Sequence, residues 1–173
     1  MSMPLHPAIV HLPLGVALAV PLVALALTVA LWRGRLPAGV WGLVVGLQVL
    51  VVGGGGLAMR TGEQEEDRVE QVVAKKLIHE HEEKAEAFMG SAWAVLFLSA
   101  GVLFVRSRPG LVRALTAATT VGAVAMAGLG LTAGHAGGEL VYVHGAAKAY
   151  LEEPQTPPPA APGGMPVASE HAD

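Results

Sequence analysis

The sequence predicts an all-α integral membrane protein: a four-helix bundle with an amphipathic extramembrane extension of the third helix. Three observations carry that prediction. Of 173 residues, 53% are hydrophobic and only 14% charged, against about 25% charged in an ordinary globular chain. Four apolar runs, near residues 8–32, 37–59, 88–105 and 111–133, each approach the length of roughly 20 residues that a spanning helix needs. Between the second and third runs, residues 63–87 are strongly charged, yet Val69, Val72, Val73, Leu77, His81, Ala85 and Phe88 recur at helical spacing.

Each element follows from its composition. The first run is too long for a signal-peptide core and has no Lys or Arg before it, so it is expected to stay as a helix. The segment 63–87 reads as one outward helix running into the third span. The transmembrane domain then covers 1–150. Beyond it, 151–173 turns to Pro, Ala, Gly and Glu, a composition too poor in large apolar groups to offset the entropy of ordering, and is expected to be a disordered tail.

Charge placement orients the bundle. Threaded up and down, the chain gathers Arg33, Arg35, Arg106, Arg108 and Arg113 in two short turns without an acidic residue. Short basic loops stay in the cytoplasm, which predicts a multi-pass protein of the cytoplasmic (inner) membrane with both termini outward. The net charge of −3 carries little information beside this asymmetry.

Cofactor chemistry is bounded by the absence of cysteine, which excludes disulfides, iron–sulfur clusters, thiolate metal sites and C-x-x-C-H haem attachment. The histidines are more informative. His6 and His11 start the first span, His79 and His81 lead into the third, and His135 and His144 follow the fourth, so all six come out on the outward side. A single interfacial His commonly does no more than bond headgroups and water. Three pairs at one end of a small bundle form a natural ligand cluster.

Helical geometry ranks them. His79 and His81 differ by about 200° at about 100° per residue. His81 shares a face with Leu77, Ala85 and Phe88, whereas His79 lies with Lys75, Glu82, Glu83 and Glu86 on the solvated side. His11 stands above Gly15 and Ala19 at i+4 and i+8, a smooth stripe that makes it the preferred ligand of its pair. His6 precedes Pro7 and is expected to be extended. The second span is read as ending in Gly53 to Gly56, and Gly134, Gly137 and Gly138 are read as ending the fourth in a tight turn around His135. Missing side chains where histidines converge would admit a planar cofactor, although small-xxx-small packing explains single glycines such as Gly42 and Gly46 equally well.

Together the segments LHPAIVHLP, HEHEEKA and AGHAGGELVYVHGAA resemble a bacterial predicted membrane family known as domain of unknown function 2231. The resemblance covers the chain up to about Tyr150. Leu12 stands where the family typically has Phe, and Glu139 where many relatives have His. The resemblance implies a four-helix membrane module that accompanies cytochrome c or Rieske-type domains, and hence electron transfer.

The leading expectation is therefore a membrane-embedded electron-transfer subunit holding one or two b-type haems. His11, His81, His135 and His144 are the candidate axial ligands, His6 and His79 are further ones, and Arg60, Lys84 and Lys148 are available to the propionates. Its partners would be the lipid bilayer, a cytochrome c or other redox subunit, and quinol. The rival expectation is a bare transition metal, copper, zinc or iron, held by His11, His81, His135, His144 and Glu139. A third is a non-redox structural subunit of a larger hetero-oligomeric complex. Stand-alone enzyme chemistry is not expected: there is no nucleophile motif, and the Gly53 to Gly56 run lacks the Lys-Ser/Thr of a P-loop. Basic residues are too few and too dispersed to bind nucleic acid. Thr28, Gln48, Ser99, Thr116 and Thr119 are the most polar residues within the spans, which leaves ion conduction without its usual charged markers.

Overall fold

The computed structural model describes residues 5–151. Five α-helices follow one another: α1 (His6–Ile9), α2 (His11–Trp32), α3 (Gly42–Val69), α4 (Lys75–Phe104) and α5 (Pro109–Tyr142). Short 3-10 turns occupy Ala38–Trp41 and Ala146–Tyr150. Four segments are long and apolar enough to cross a membrane: His6–Trp32, Ala38–Val69, Lys75–Phe104 and Pro109–Tyr142. Of the tail expected over 151–173, only Leu151 lies within the described residues; its amide donates to the Lys148 carbonyl at 3.0 Å.

The helices form a closed ring, α2 against α3, α3 against α4, α4 against α5 and α5 back on α2. The core is built from small and β-branched residues such as Ala17, Val20, Val44, Val51, Ala92 and Ala123. Small side chains are needed where lipid supplies no hydrophobic drive between helices and close packing must hold them together. Thr28, Gln48, Ser99, Thr116 and Thr119 are all buried inside this ring. Two of them tie α2 to α5: Thr28 Oγ1 lies 3.0 Å from Thr120 Oγ1, and the Trp32 indole donates to Thr116 Oγ1 at 3.1 Å.

Proline divides the first span. Pro13 has no N–H to give the Ile9 carbonyl, and the helix is offset there into α1 and α2. His6, expected to be extended, is instead the first residue of α1. The reason is a distant cap: Glu65 Oε1 accepts from the Leu5 amide at 2.9 Å and the His6 amide at 3.4 Å, satisfying donors that a helix start leaves open.

Two further expectations are corrected. Residues 63–87 are not one helix. α3 runs to Val69, the chain turns through 70–74, and α4 begins at Lys75. The apolar stripe belongs to a helix–turn–helix cap, in which Val73 and Ile78 are buried with Ala146 against Val69, Val72, Leu77 and Leu140. Nor do glycines end the second and fourth spans. Gly53 to Gly56 lie inside α3, and Gly134, Gly137 and Gly138 inside α5. Packing replaces the missing side chains: the Pro13 ring sits 3.3 Å from where a Gly54 Cβ would be, and the Met89 sulfur occupies the Cβ position of Gly55.

The α4–α5 seam repeats this device. His81, Phe88 and Val95, seven residues apart on α4, fit over Gly137, Gly130 and Gly122 of α5. A seven-residue spacing keeps one face of a helix toward its partner. His81 therefore occupies the outermost position of a packing ladder.

Candidate functional site

Both ends of the described chain meet at the histidine end of the bundle. Glu65, besides capping α1, accepts the Tyr150 hydroxyl at 2.8 Å through its second oxygen, and the Arg68 guanidinium stands 5.4 Å over the Tyr150 ring. This clamp holds His6 and the last 3-10 turn on α3. Burial, assisted by the Glu65 hydrogen bond, pushes the Tyr150 hydroxyl up to about 12 from an ordinary 10.0.

A pH test of the clamp follows. A folded pKa above the unfolded one favours the protonated phenol in the folded chain. Docking thus contributes fully below pH 10 and is lost as pH rises toward about 12. In a Tyr142→Phe chain, where Tyr150 is the only tyrosine left, tyrosinate absorbance is expected to rise near pH 12. A midpoint near 10 would show that the phenol is not docked.

Held by the clamp, the His6 ring turns into the bundle. Its Nδ1–H donates to the Ala58 carbonyl at 2.7 Å, which leaves Nε2 as the free lone pair. The ring lies against Gly62, where a Cβ would stand 3.2 Å away. Opposite, His81 packs on Gly137, with ring Cε1 3.1 Å from a notional Cβ. The two ring centres are 6.3 Å apart with planes at 81°.

His81 Nδ1 is buried and has no hydrogen-bond partner. An orphaned buried nitrogen is costly, so its environment favours a neutral imidazole. His81 lies in the charged stretch before the apolar part of α4, and burial, then the neighbouring His6, hold its pKa below the ordinary 6.5; the Ala133 backbone opposes them. Neutral rings are the form that ligates metals.

The other candidates do not join this pair. His11 is exposed, as are Gly15 and Ala19 beneath it, so the smooth stripe faces away from the bundle and the preference for His11 over His6 is reversed. The offset at Pro13 and the Glu65 cap decide that rotation. His79 faces solvent within 3.5 Å of Glu82 and Glu83. His135, on the outer face of α5, approaches Glu139 at 3.4 Å. His144 is exposed beside Gly145, whose φ of +75° makes the turn after α5. Arg60 is exposed on α3 between Ala58 and Gly62, while Lys84 is half-buried and Lys148 exposed. Among the described residues no three His, Cys, Asp or Glu side chains converge as a metal site.

Sequence reasoning missed the Ala58 carbonyl, Gly62 and the Glu65 clamp. Contacts across 52 to 85 residues leave no local pattern. Compared with protein-family models, curated proteins and solved structures, the chain has no match.

Proposed function

We propose that this protein is a membrane-embedded electron-transfer subunit in which His6 and His81 hold one b-type haem at the outward end of the bundle. The carrying observation is the pair itself: two imidazoles from different helices, 6.3 Å apart, one with a buried and unpartnered nitrogen. Haem iron takes four ligands from its macrocycle and needs only two from protein, whereas bare zinc takes three or four protein ligands. Two histidines meet here, which favours haem over the bare-metal reading. The group would supply one-electron exchange at the membrane surface.

The chain's own residues set the terms of that exchange. The Ala58 carbonyl fixes the His6 tautomer and ring orientation, as outer-shell carbonyls do for ligating histidines. Gly62 and Gly137 let each ring lie close against a neighbouring helix. The Arg-only turns favour placing the pair on the outward side of the cytoplasmic membrane, where a cytochrome c or similar redox subunit would be the acceptor.

An optical spectrum of the detergent-purified protein, expressed with ample haem supply and then reduced with dithionite, tests the reading. A Soret band with a sharp reduced α band is expected. A colourless, folded and monodisperse sample would overturn it.

A further inference from the structure

We infer that the bundle binds water inside its core, at a site formed by Trp41, Ser99 and Thr119 and continued by Gln48 toward the histidine end. All four side chains are fully buried. Trp41 Nε1, Thr119 Oγ1 and Gln48 Oε1 have no hydrogen-bond partner among the described residues. Buried polar groups in folded proteins are paired, and those that no protein atom meets are met by an ordered water or an ion.

Register places these atoms in one stretch of the core. Gln48 reaches across the ring from α3 to α5, where its amide nitrogen lies 3.6 Å from the Met126 sulfur. In a ring of helices that alternate in direction, α3 and α5 run the same way. Trp41 stands seven residues before Gln48, and Thr119 seven before Met126. The indole and the hydroxyl therefore share a level about two turns from the contact between Gln48 and Met126. Ser99 joins that level from α4, which runs the other way and packs Val95 over Gly122. Between the two levels the buried side chains are small: Ala24, Val44 and Ala123.

Thr119 differs from its neighbours. The hydroxyls of Thr61, Ser91, Ser99, Thr116, Thr120 and Thr132 each donate to a carbonyl three or four residues back on their own helix. That is the ordinary way for a helical hydroxyl to be satisfied. Thr119 makes no such bond, so its hydroxyl is free for a partner outside its own backbone.

The donor set selects the ligand. The Trp41 indole only donates, Gln48 Oε1 only accepts, and the Thr119 hydroxyl does either. Ser99, whose proton goes to the Leu96 carbonyl at 2.8 Å, keeps lone pairs with which to accept. A cation would meet the indole N–H, and an anion would meet the amide oxygen. A small neutral molecule that both donates and accepts fits all of them, and a buried water commonly makes about three hydrogen bonds of this kind. Bound there, water links α3, α4 and α5 through the centre of the ring, where lipid provides no hydrophobic drive to hold them. The site needs no haem.

Thermal unfolding in detergent separates a wet core from a dry one by the sign of the change. Thr119→Val and Gln48→Met replace the polar atom with an apolar group of similar shape. With water bound, each variant removes a hydrogen-bond partner and strands the others, and each is expected to lower Tm by about 2–4 °C. In a dry core each would remove an unpaired polar atom and raise Tm. In the full chain carrying isotope-labelled tryptophan, the Trp41 indole proton is expected to show a nuclear Overhauser cross-peak to water, with Trp32→Phe and Trp93→Phe identifying the other indole signals. Both variants more stable than the parent, or a Trp41 indole without a water cross-peak, would overturn the site.

Discussion

His81→Phe is expected to yield a folded, colourless protein, while His79→Ala keeps the full Soret band. Phe88, one heptad along α4, already packs its ring on Gly130 as His81 packs on Gly137, so phenylalanine fills the same kind of seat with a slightly larger ring and removes the nitrogens. That isolates ligation from packing, which His81→Ala would confound by opening a cavity. His79 is 68% exposed and meets only Glu82 and Glu83, so its loss touches nothing in the bundle. His6→Ala should also lose the low-spin spectrum, since both axial positions are needed for it. A full Soret band in His81→Phe, or equal losses in the His79 and His81 variants, would remove the pair from the site. Because the His81 pKa is lowered in the folded chain, its neutral form contributes stability that is present above the ordinary 6.5 and is lost as pH falls through the lower folded value. Thermal stability of the haem-free chain is therefore expected to be lower below pH 6.5 in the parent than in His81→Phe, relative to each at neutral pH, and an identical pH dependence in both would contradict the burial of the ring.

What the sequence made legible was everything governed by short-range periodicity. The apolar runs located four helices. The 200° between His79 and His81 separated an exposed ring from a half-buried one for the same reason. His6 and His11 went the other way. The rule that a residue before proline is extended was overridden by Glu65, nearly sixty residues away, and the stripe below His11 turned out to face away from the bundle. The turn at 70–74 was likewise hidden. A buried helix–turn–helix cap and a continuous amphipathic helix place apolar residues at nearly the same intervals, and only the packing of Ala146 on Val73 and Ile78 separates them.

The glycines were ambiguous for a related reason: a missing side chain signals either an end, a cavity or a close neighbour. In α5 the neighbour can be tested by opposite signs at adjacent sites. Around Gly128 there is nothing within 4 Å of a notional Cβ, so Gly128→Ala adds a methyl at no steric cost and gains helix propensity, up to about 1 kcal/mol. At Gly130 the same methyl would stand 3.1 Å from the Phe88 ring and 3.2 Å from Leu14. Phe88 is buried and cannot swing away without disturbing the α4–α5 seam. Overpacking of that kind costs about 1–3 kcal/mol, more than the propensity gain. Thermal unfolding in detergent is expected to place Gly128→Ala at or above the parent and Gly130→Ala clearly below it. Phe88→Leu combined with Gly130→Ala should recover part of the loss, since the smaller side chain makes space for the added methyl. Equal stability of the two single variants would mean that Phe88 and Leu14 do not close on α5, and the tight seam that seats His81 over Gly137 would go with them.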